Sequence, residues 1–220
     1  MNAQRPRLPI GNRTSRFPGY DVMDQREHWD DATRAAITTR LDALPPIRFF
    51  TPEEEAAAKA LLDRLMGQDE SVPGEGDVEV PLVHMVDVRL VEDETDGWHY
   101  DTMPADPEAW RKSLAGLDAD ARERFGAAFA ECSMDDQRAL LKEIHTSKAE
   151  QWHGMPPERL WSLWTRYAAT AFYSHPAAWN EIGYGGPAYP RGYKNLGVDR
   201  WEPYEVPDAR PSDDPVRGQG

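Results

Sequence analysis

Six histidines are the first candidates for chemistry, because an imidazole can bind a metal or act as a general base near neutral pH. None of them belongs to a His-Glu-x-x-His sequence or to a tight cluster. Two pairs are near each other, His84 with Asp87 one helical turn later and His99 with Asp101. Pairs of this kind are common by chance, so we expect no metal site in this chain. The six residues are His28, His84, His99, His145, His153 and His175.

A serine or cysteine nucleophile is the next possibility. Ser174 precedes His175, but neighbouring side chains point apart, and no serine lies in a Gly-x-Ser-x-Gly turn. The single cysteine, Cys132, lies near Phe129 and Leu140, which indicates a small buried thiol rather than a reactive one. We therefore expect no catalytic residue. A stand-alone enzyme, whose histidines or carboxylates no motif identifies, remains the alternative hypothesis.

A glycine-rich run, Gly183-Tyr184-Gly185-Gly186, is the only segment that resembles a nucleotide-binding loop. It lacks the Gly-x-Gly-x-x-Gly spacing because position 188 is alanine, and Pro187 and Pro190 prevent a helix from following it. No Gly-Lys-Ser/Thr follows it either. We expect no cofactor site in this chain.

The charge of the chain excludes some partners. With 39 acidic and 25 basic residues the net charge is −14, which repels the phosphates of nucleic acids and the head groups of anionic lipids. No run of eighteen apolar residues occurs, and residues 1–20 do not have the pattern of a signal peptide. We expect no nucleic-acid partner, no membrane contact and a cytoplasmic location.

The elements that would position a site are helices. Thr51-Pro52-Glu53-Glu54 is typical of a helix start, and Gly67 is typical of a helix end. The longest apolar repeat runs from Trp110 to Cys132, and it predicts a buried face with Phe125 at its centre. We expect the repeat to be divided into two helices at Gly116-Leu117-Asp118.

The overall pattern predicts a mainly α protein of about six helices, the last of which starts at Pro156-Pro157. Residues 1–20 are predicted to form an extended arm and residues 21–175 a helical domain. An irregular tail rich in aromatic residues, glycine and proline is expected over 176–206, packed on the domain and on a partner. Residues 207–220 are expected to be disordered.

The tail is the part of the sequence most specific for function. Large aromatic side chains on an irregular backbone must either pack on their own helices or contact another molecule, and protein interfaces are enriched in aromatic residues and arginine. We therefore predict a partner interface formed by Trp179, Tyr184, Tyr189, Arg191, Tyr193, Trp201 and Tyr204.

The stretch FYSHPAAWNEIGYGGPAYPRGY at 172–193 closely resembles the gluconate 2-dehydrogenase subunit 3 family. Shorter matching features occur earlier, and together they extend the resemblance over about residues 17–206. These features are FPGYDV at 17–22, HWD at 28–30, FFTPEE at 49–54, VDVRL at 86–90 and LWSLWTRY at 160–167.

The resemblance implies a helical small subunit that supports and docks onto a large flavoprotein of the glucose–methanol–choline type. In such complexes the large subunit holds FAD and oxidises sugars, polyols or related alcohols, and membrane-bound versions pass the electrons to a cytochrome c subunit. Exported members carry a twin-arginine signal on the small subunit. Because residues 1–20 contain no Arg-Arg pair, we expect a cytoplasmic oxidoreductase that acts on sugars or glycosides.

Overall fold

The computed structural model describes residues 17, 19–68, 79–94, 100–195, 197 and 200–207. Residues 1–16 and 18 of the predicted extended arm lie outside the described residues. The same holds for residues 208–220 of the predicted disordered terminus. Within the described part, the secondary structure is helical, and the one extended pairing is an isolated bridge between Trp152 and Met155. The predicted mainly α class is therefore confirmed.

Seven α-helices occur in the described part of the chain, together with 3-10 helices at Val22–His28 and Phe129–Glu131. None of the described helices is both long enough and apolar enough to cross a membrane. The α-helices are α1 (Asp31–Asp42), α2 (Pro52–Met66), α3 (Leu82–Val91), α4 (Asp106–Phe125), α5 (Met134–Thr146), α6 (Pro157–Tyr173) and α7 (Pro176–Ile182).

The described residues form two compact units. One unit contains the described residues of 17–44, 79–80 and 173–207, and the other contains 45–68 together with the described residues of 81–172. We call them the tail unit and the helical unit. The domain boundary that the sequence predicts after residue 175 stays a prediction.

Helix α2 is the centre of the helical unit, where it contacts α3, α4, α5 and the second 3-10 helix. Its start follows the predicted chemistry: the Thr51 hydroxyl accepts from the Glu54 N–H, and the Glu54 carboxylate accepts from the Thr51 N–H. Gly67 ends the helix with a φ of 68°, a left-handed conformation that glycine adopts without strain. The predicted bounds of α2 are confirmed.

A fully buried carboxylate fixes the chain that leads into α2. Asp87, on α3, accepts hydrogen bonds from three successive backbone N–H groups, those of Arg48 (2.8 Å), Phe49 (2.8 Å) and Phe50 (2.9 Å). These N–H groups precede the helix and have no intrahelical acceptor. The carboxylate thus satisfies three donors at once and attaches residues 48–50 to α3.

Helix α4 differs from the prediction, because it runs unbroken through Gly116. A Cβ atom at this position would lie 2.8 Å from the Trp152 ring and 2.9 Å from the His153 ring. The glycine therefore permits a close approach of the turn at 152–155 instead of breaking the helix. Gly126, with a φ of 75°, is the residue at which the helix ends.

The end of α4 at Gly126 also corrects the predicted core. Phe125 is the last residue of the helix and is 36% exposed, so its predicted central position in a buried face is wrong. Phe129 lies beyond the helix end, in the second 3-10 helix, and is fully buried. Cys132, predicted to be buried, is half-buried.

Helix α7 was not predicted, and the first helix of the chain, α1, buries little of its surface. A two-turn helix fits between Pro176, at its first position, and Gly183, at its C-cap, within the segment that the glycines and prolines had marked as irregular. In α1 only Ile37 is buried, whereas Leu41 is 41% exposed and Leu44, just beyond the helix, is 60% exposed.

We predict that Phe129→Ala lowers the free energy of unfolding by about 3–5 kcal/mol, because it empties a filled core site. Phe125→Ala should cost less than about 1 kcal/mol, because the ring is already partly in water. Chemical denaturation of both variants measures the difference. Equal losses for the two variants would contradict the placement of the end of α4.

We predict that Asp87→Asn lowers the free energy of unfolding by about 3 kcal/mol, because the amide N–H₂ cannot accept the hydrogen bonds that the carboxylate accepts. Glu92→Gln is the matched control, since Glu92 forms an exposed ion pair with Arg48 (3.1 Å) at the same loop. It should cost less than about 1 kcal/mol. A loss for Asp87→Asn no larger than that of the control would show that the buried carboxylate is not what holds the loop.

Candidate functional site

Helix α7 carries Trp179, the first residue of the predicted interface. The ring of His175, its N-cap, accepts a hydrogen bond at Nδ1 from the Ala177 N–H (3.2 Å). Asn180 Oδ1 accepts from the Val22 N–H (2.8 Å), which joins α7 to the first 3-10 helix. The Trp179 indole N–H donates to the Tyr173 carbonyl (2.7 Å). These contacts hold the helix within the tail unit.

His175 is almost completely buried, with 3% of its surface exposed. Burial lowers the pKa of its imidazole, and the nearby Arg40 charge lowers it further, while a hydrogen bond to the Arg40 backbone acts in the opposite direction. The neutral ring is therefore favoured, which is the form that can accept the N–H of the cap. His175 thus has a structural role at this helix start.

The glycine-rich run after α7 is shaped by packing. Gly183 has a φ of 68°, and a Cβ there would lie 2.5 Å from the Phe17 ring. Gly186 has a φ of 77°, and a Cβ there would lie 2.6 Å from the Trp29 ring. Both glycines are required by the backbone conformation and by the neighbouring aromatic rings, which explains the run without a phosphate ligand.

Arg191 is the polar centre of the tail. Its guanidinium lies 3.6 Å above the Tyr204 ring, Nη1 donates to the Gln25 side-chain oxygen (3.1 Å), and Nη2 donates to the Gly185 carbonyl (3.4 Å). The Tyr204 hydroxyl in turn donates to the Gly192 carbonyl (3.2 Å). The arginine that we predicted to bind a partner is therefore held by its own chain.

Glu202 shapes the rest of the tail and was missed by sequence reasoning. Its carboxylate is 5% exposed and accepts the backbone N–H groups of Lys194 and Asn195, while the Asn195 side-chain amide adds a further bond (3.3 Å). A single acid among many gives no signal in a sequence. It therefore attaches residue 202 to residues 194 and 195.

The predicted interface residues fall into two groups. Four are exposed and present aromatic rings to solvent, and three are covered by the chain itself. The exposed four are Tyr184 (37%), Tyr189 (66%), Tyr193 (50%) and Trp201 (50%), and the covered three are Trp179 (5%) with Arg191 and Tyr204, which are half-buried.

Tyr184 is fixed in place although it is exposed. The Trp179 ring meets the Tyr184 ring edge-on at 5.4 Å, and the Tyr20 hydroxyl donates to the Tyr184 carbonyl (3.2 Å). Burial raises the pKa of Tyr20 to about 12, so that this hydroxyl remains a donor at neutral pH. The buried Trp179 thus supports an exposed neighbour.

The histidines have separate structural contacts. His153 Nε2 lies 2.8 Å from Asp120 Oδ1, and the Trp152 indole N–H donates to Asp120 Oδ2 (2.8 Å), so this pair anchors the turn at 152–155 to α4. His84 Nδ1 lies 2.7 Å from the Pro45 carbonyl, and the His145 ring packs at a tilt against the Trp161 ring. His28 contacts Glu27 (3.6 Å), and His99 lies outside the described residues.

Over the ranges that the structure describes, no group of three or more histidine, cysteine, aspartate or glutamate residues is arranged to hold a metal ion. Burial raises the pKa of the Cys132 thiol, with the nearby acid Asp136 acting in the same direction, so the thiolate is disfavoured.

Comparison with known proteins identifies the family of this chain. A family model described as gluconate 2-dehydrogenase subunit 3 matches residues 52–186, from α2 to the end of the glycine-rich run. No curated protein and no solved structure matches the chain. The match covers more than half of the 220 residues. The sequence resemblance is thereby confirmed over the region that it shares with the match, and the chain belongs to the gluconate 2-dehydrogenase subunit 3 family.

Proposed function

We propose that this chain is the non-catalytic small subunit of an FAD-dependent oxidoreductase, and that it stabilises and docks onto a large subunit. That partner would be a flavoprotein of the glucose–methanol–choline type, which holds the FAD and oxidises a sugar, a glycoside or a related alcohol. Membership of the family supports a place in a dehydrogenase of several subunits. The tail unit supplies the docking surface.

The observation that carries the proposal is the distribution of exposed apolar side chains. Ten large hydrophobic residues are exposed among the described residues, and eight of them belong to the tail unit. Five of those eight lie within residues 182–201. Clustered exposed aromatic residues are typical of a surface that another protein covers. These five are Ile182, Tyr184, Tyr189, Tyr193 and Trp201.

The exposed rings are carried by a backbone that is already ordered. Arg191 holds residues 185 and 192 through its contacts with Gly185 and Tyr204, and Glu202 holds residues 194 and 195. Docking therefore loses less conformational entropy than it would on a free segment. We assign Trp179, Arg191 and Tyr204 to the support of this surface, and we assign the four exposed aromatic residues to contact with the partner.

We predict that Tyr189→Ala and Trp201→Ala each weaken capture by the flavoprotein roughly 30-fold, which corresponds to about 2 kcal/mol for an aromatic hot spot. The chain is co-expressed with a tagged glucose–methanol–choline-type flavoprotein from the same genome. Captured small subunit is then quantified against the flavin absorbance. Both residues are exposed, so the melting temperature of the isolated variants should stay close to that of the original chain.

The matched control is Phe125→Ala, which removes a partly exposed aromatic ring (36%) from the helical unit. It should leave capture unchanged. If all three variants are captured like the original chain, the tail is not the docking surface. The same conclusion follows if capture falls only in proportion to a loss of thermal stability.

A further inference from the structure

His175 lies where α1 meets the start of α7, within the tail unit. It directly precedes Pro176, the first residue of α7, and only 3% of its surface is exposed. Arg40, on α1, reaches the same place, where its guanidinium donates to the Ser174 carbonyl (2.9 Å). A side chain whose charge can change near neutral pH is therefore enclosed at the contact between the two helices.

The hydrogen bonds of the His175 ring require its neutral form. Nδ1 accepts from the Ala177 N–H (3.2 Å), so the single proton of the neutral ring is on Nε2. The ring is also hydrogen-bonded to the backbone of Arg40, which is compatible with this tautomer. A proton added to Nδ1 would turn the acceptor into a donor that faces the Ala177 N–H. Protonation therefore removes the cap of α7.

The charged group that acts on the His175 ring has the same sign as the proton that the ring would gain. Burial disfavours the imidazolium most strongly, and the Arg40 guanidinium disfavours it further. The first 3-10 helix also packs on α7, but its capping acid, Asp21, contacts Asn180 at the other end of α7 (3.5 Å). Glu181 of α7 lies at that far end as well. Among the described residues, no carboxylate acts on the His175 ring.

The loss of the α7 cap would reach the surface of the tail unit. Helix α7 has only seven residues, about two turns, so a failed cap affects the whole helix. The helix carries Trp179, whose ring meets the Tyr184 ring edge-on at 5.4 Å. Trp179 also belongs to the buried cluster that includes Val22, Trp29 and Ile37. Opening of α7 would therefore remove the support of an exposed aromatic residue.

We propose that His175 is an acid-sensitive switch, in which protonation of its ring breaks the cap of α7 and opens residues 175–184 while the helical unit stays folded. The two-state element is α7, which is closed when the ring is neutral and open when the ring carries a second proton. The inference goes beyond the proposed function and concerns the chain alone. Release of the flavoprotein in acid would follow from the loss of support for Tyr184, and this consequence rests on the proposed function.

The sign of the pH dependence follows from the pKa of His175, which burial and the Arg40 charge lower. Above about pH 6.5 the ring is neutral in both the closed and the open segment, so the closed form has its full stability. As the pH falls below that value, the open segment binds a proton that the closed segment does not bind, so opening becomes more favourable. The change ends once the pH is below the lowered pKa.

Hydrogen–deuterium exchange of the isolated full-length chain, at about pH 7.5 and about pH 5.5 and corrected for intrinsic exchange rates, tests the proposal. We expect the protection of peptides that cover residues 176–184 to be roughly five- to tenfold lower at the acidic pH, as the uptake of one proton on opening requires. Peptides from α2, which contains no histidine, should keep their protection. His175→Asn and His175→Ser supply caps that do not titrate, so both variants should abolish the fall.

His28→Asn is the matched control, because it removes an exposed histidine from the same unit. It should retain the full pH-dependent fall. Equal protection of residues 176–184 at the two pH values would overturn the proposal, and so would a fall of the same size in the two cap variants. A matching loss of protection in α2 would also overturn it, because the whole chain would then be unfolding in acid.

Discussion

The completely buried carboxylate of Asp87 is the contact on which the helical unit depends. It satisfies three successive backbone N–H groups that precede α2, the helix that contacts most of the others in this unit. A buried carboxylate is stable only when such donors surround it, and the donors are satisfied only if the carboxylate is present. Each side of the contact thus requires the other, which fixes the start of the central helix.

The tail unit uses the same chemistry for a different purpose. Glu202 accepts backbone N–H groups at 194 and 195, and Arg191 donates to neutral oxygens at Gln25 and Gly185. Since the described residues of 183–207 form no helix, these side chains replace the regular hydrogen bonds that a helix would supply. The result is an irregular surface that side chains hold in place, with four aromatic rings exposed on it.

The sequence predicted those features that depend on neighbours in the chain. The Thr51 cap, the Gly67 end and the helical class all follow from local chemistry. The role of Gly116 was not predictable, because its reason is the ring of Trp152, 36 positions away. The short α7 was hidden because its proline and glycine, read as helix breakers, are in fact its first residue and its C-cap.

The sequence also predicted the candidate site only in part. Its exposed aromatic residues were identified from composition, but the burial of Trp179 and the contacts of Arg191 were not. Helical periodicity could not reveal them, because they arise from packing on the first 3-10 helix. Gln25 and Arg191, whose side chains are hydrogen-bonded to each other, are 166 residues apart, and no local pattern connects residues so distant.

Hydrogen–deuterium exchange of the chain, alone and in complex with the flavoprotein, tests the central claim most directly. We predict that exchange slows on complex formation in peptides that cover residues 182–204. Peptides from α5, in the helical unit, should exchange at unchanged rates and provide the internal comparison. Slower exchange confined to the helical unit, with the tail unchanged, would contradict the assignment of the docking surface.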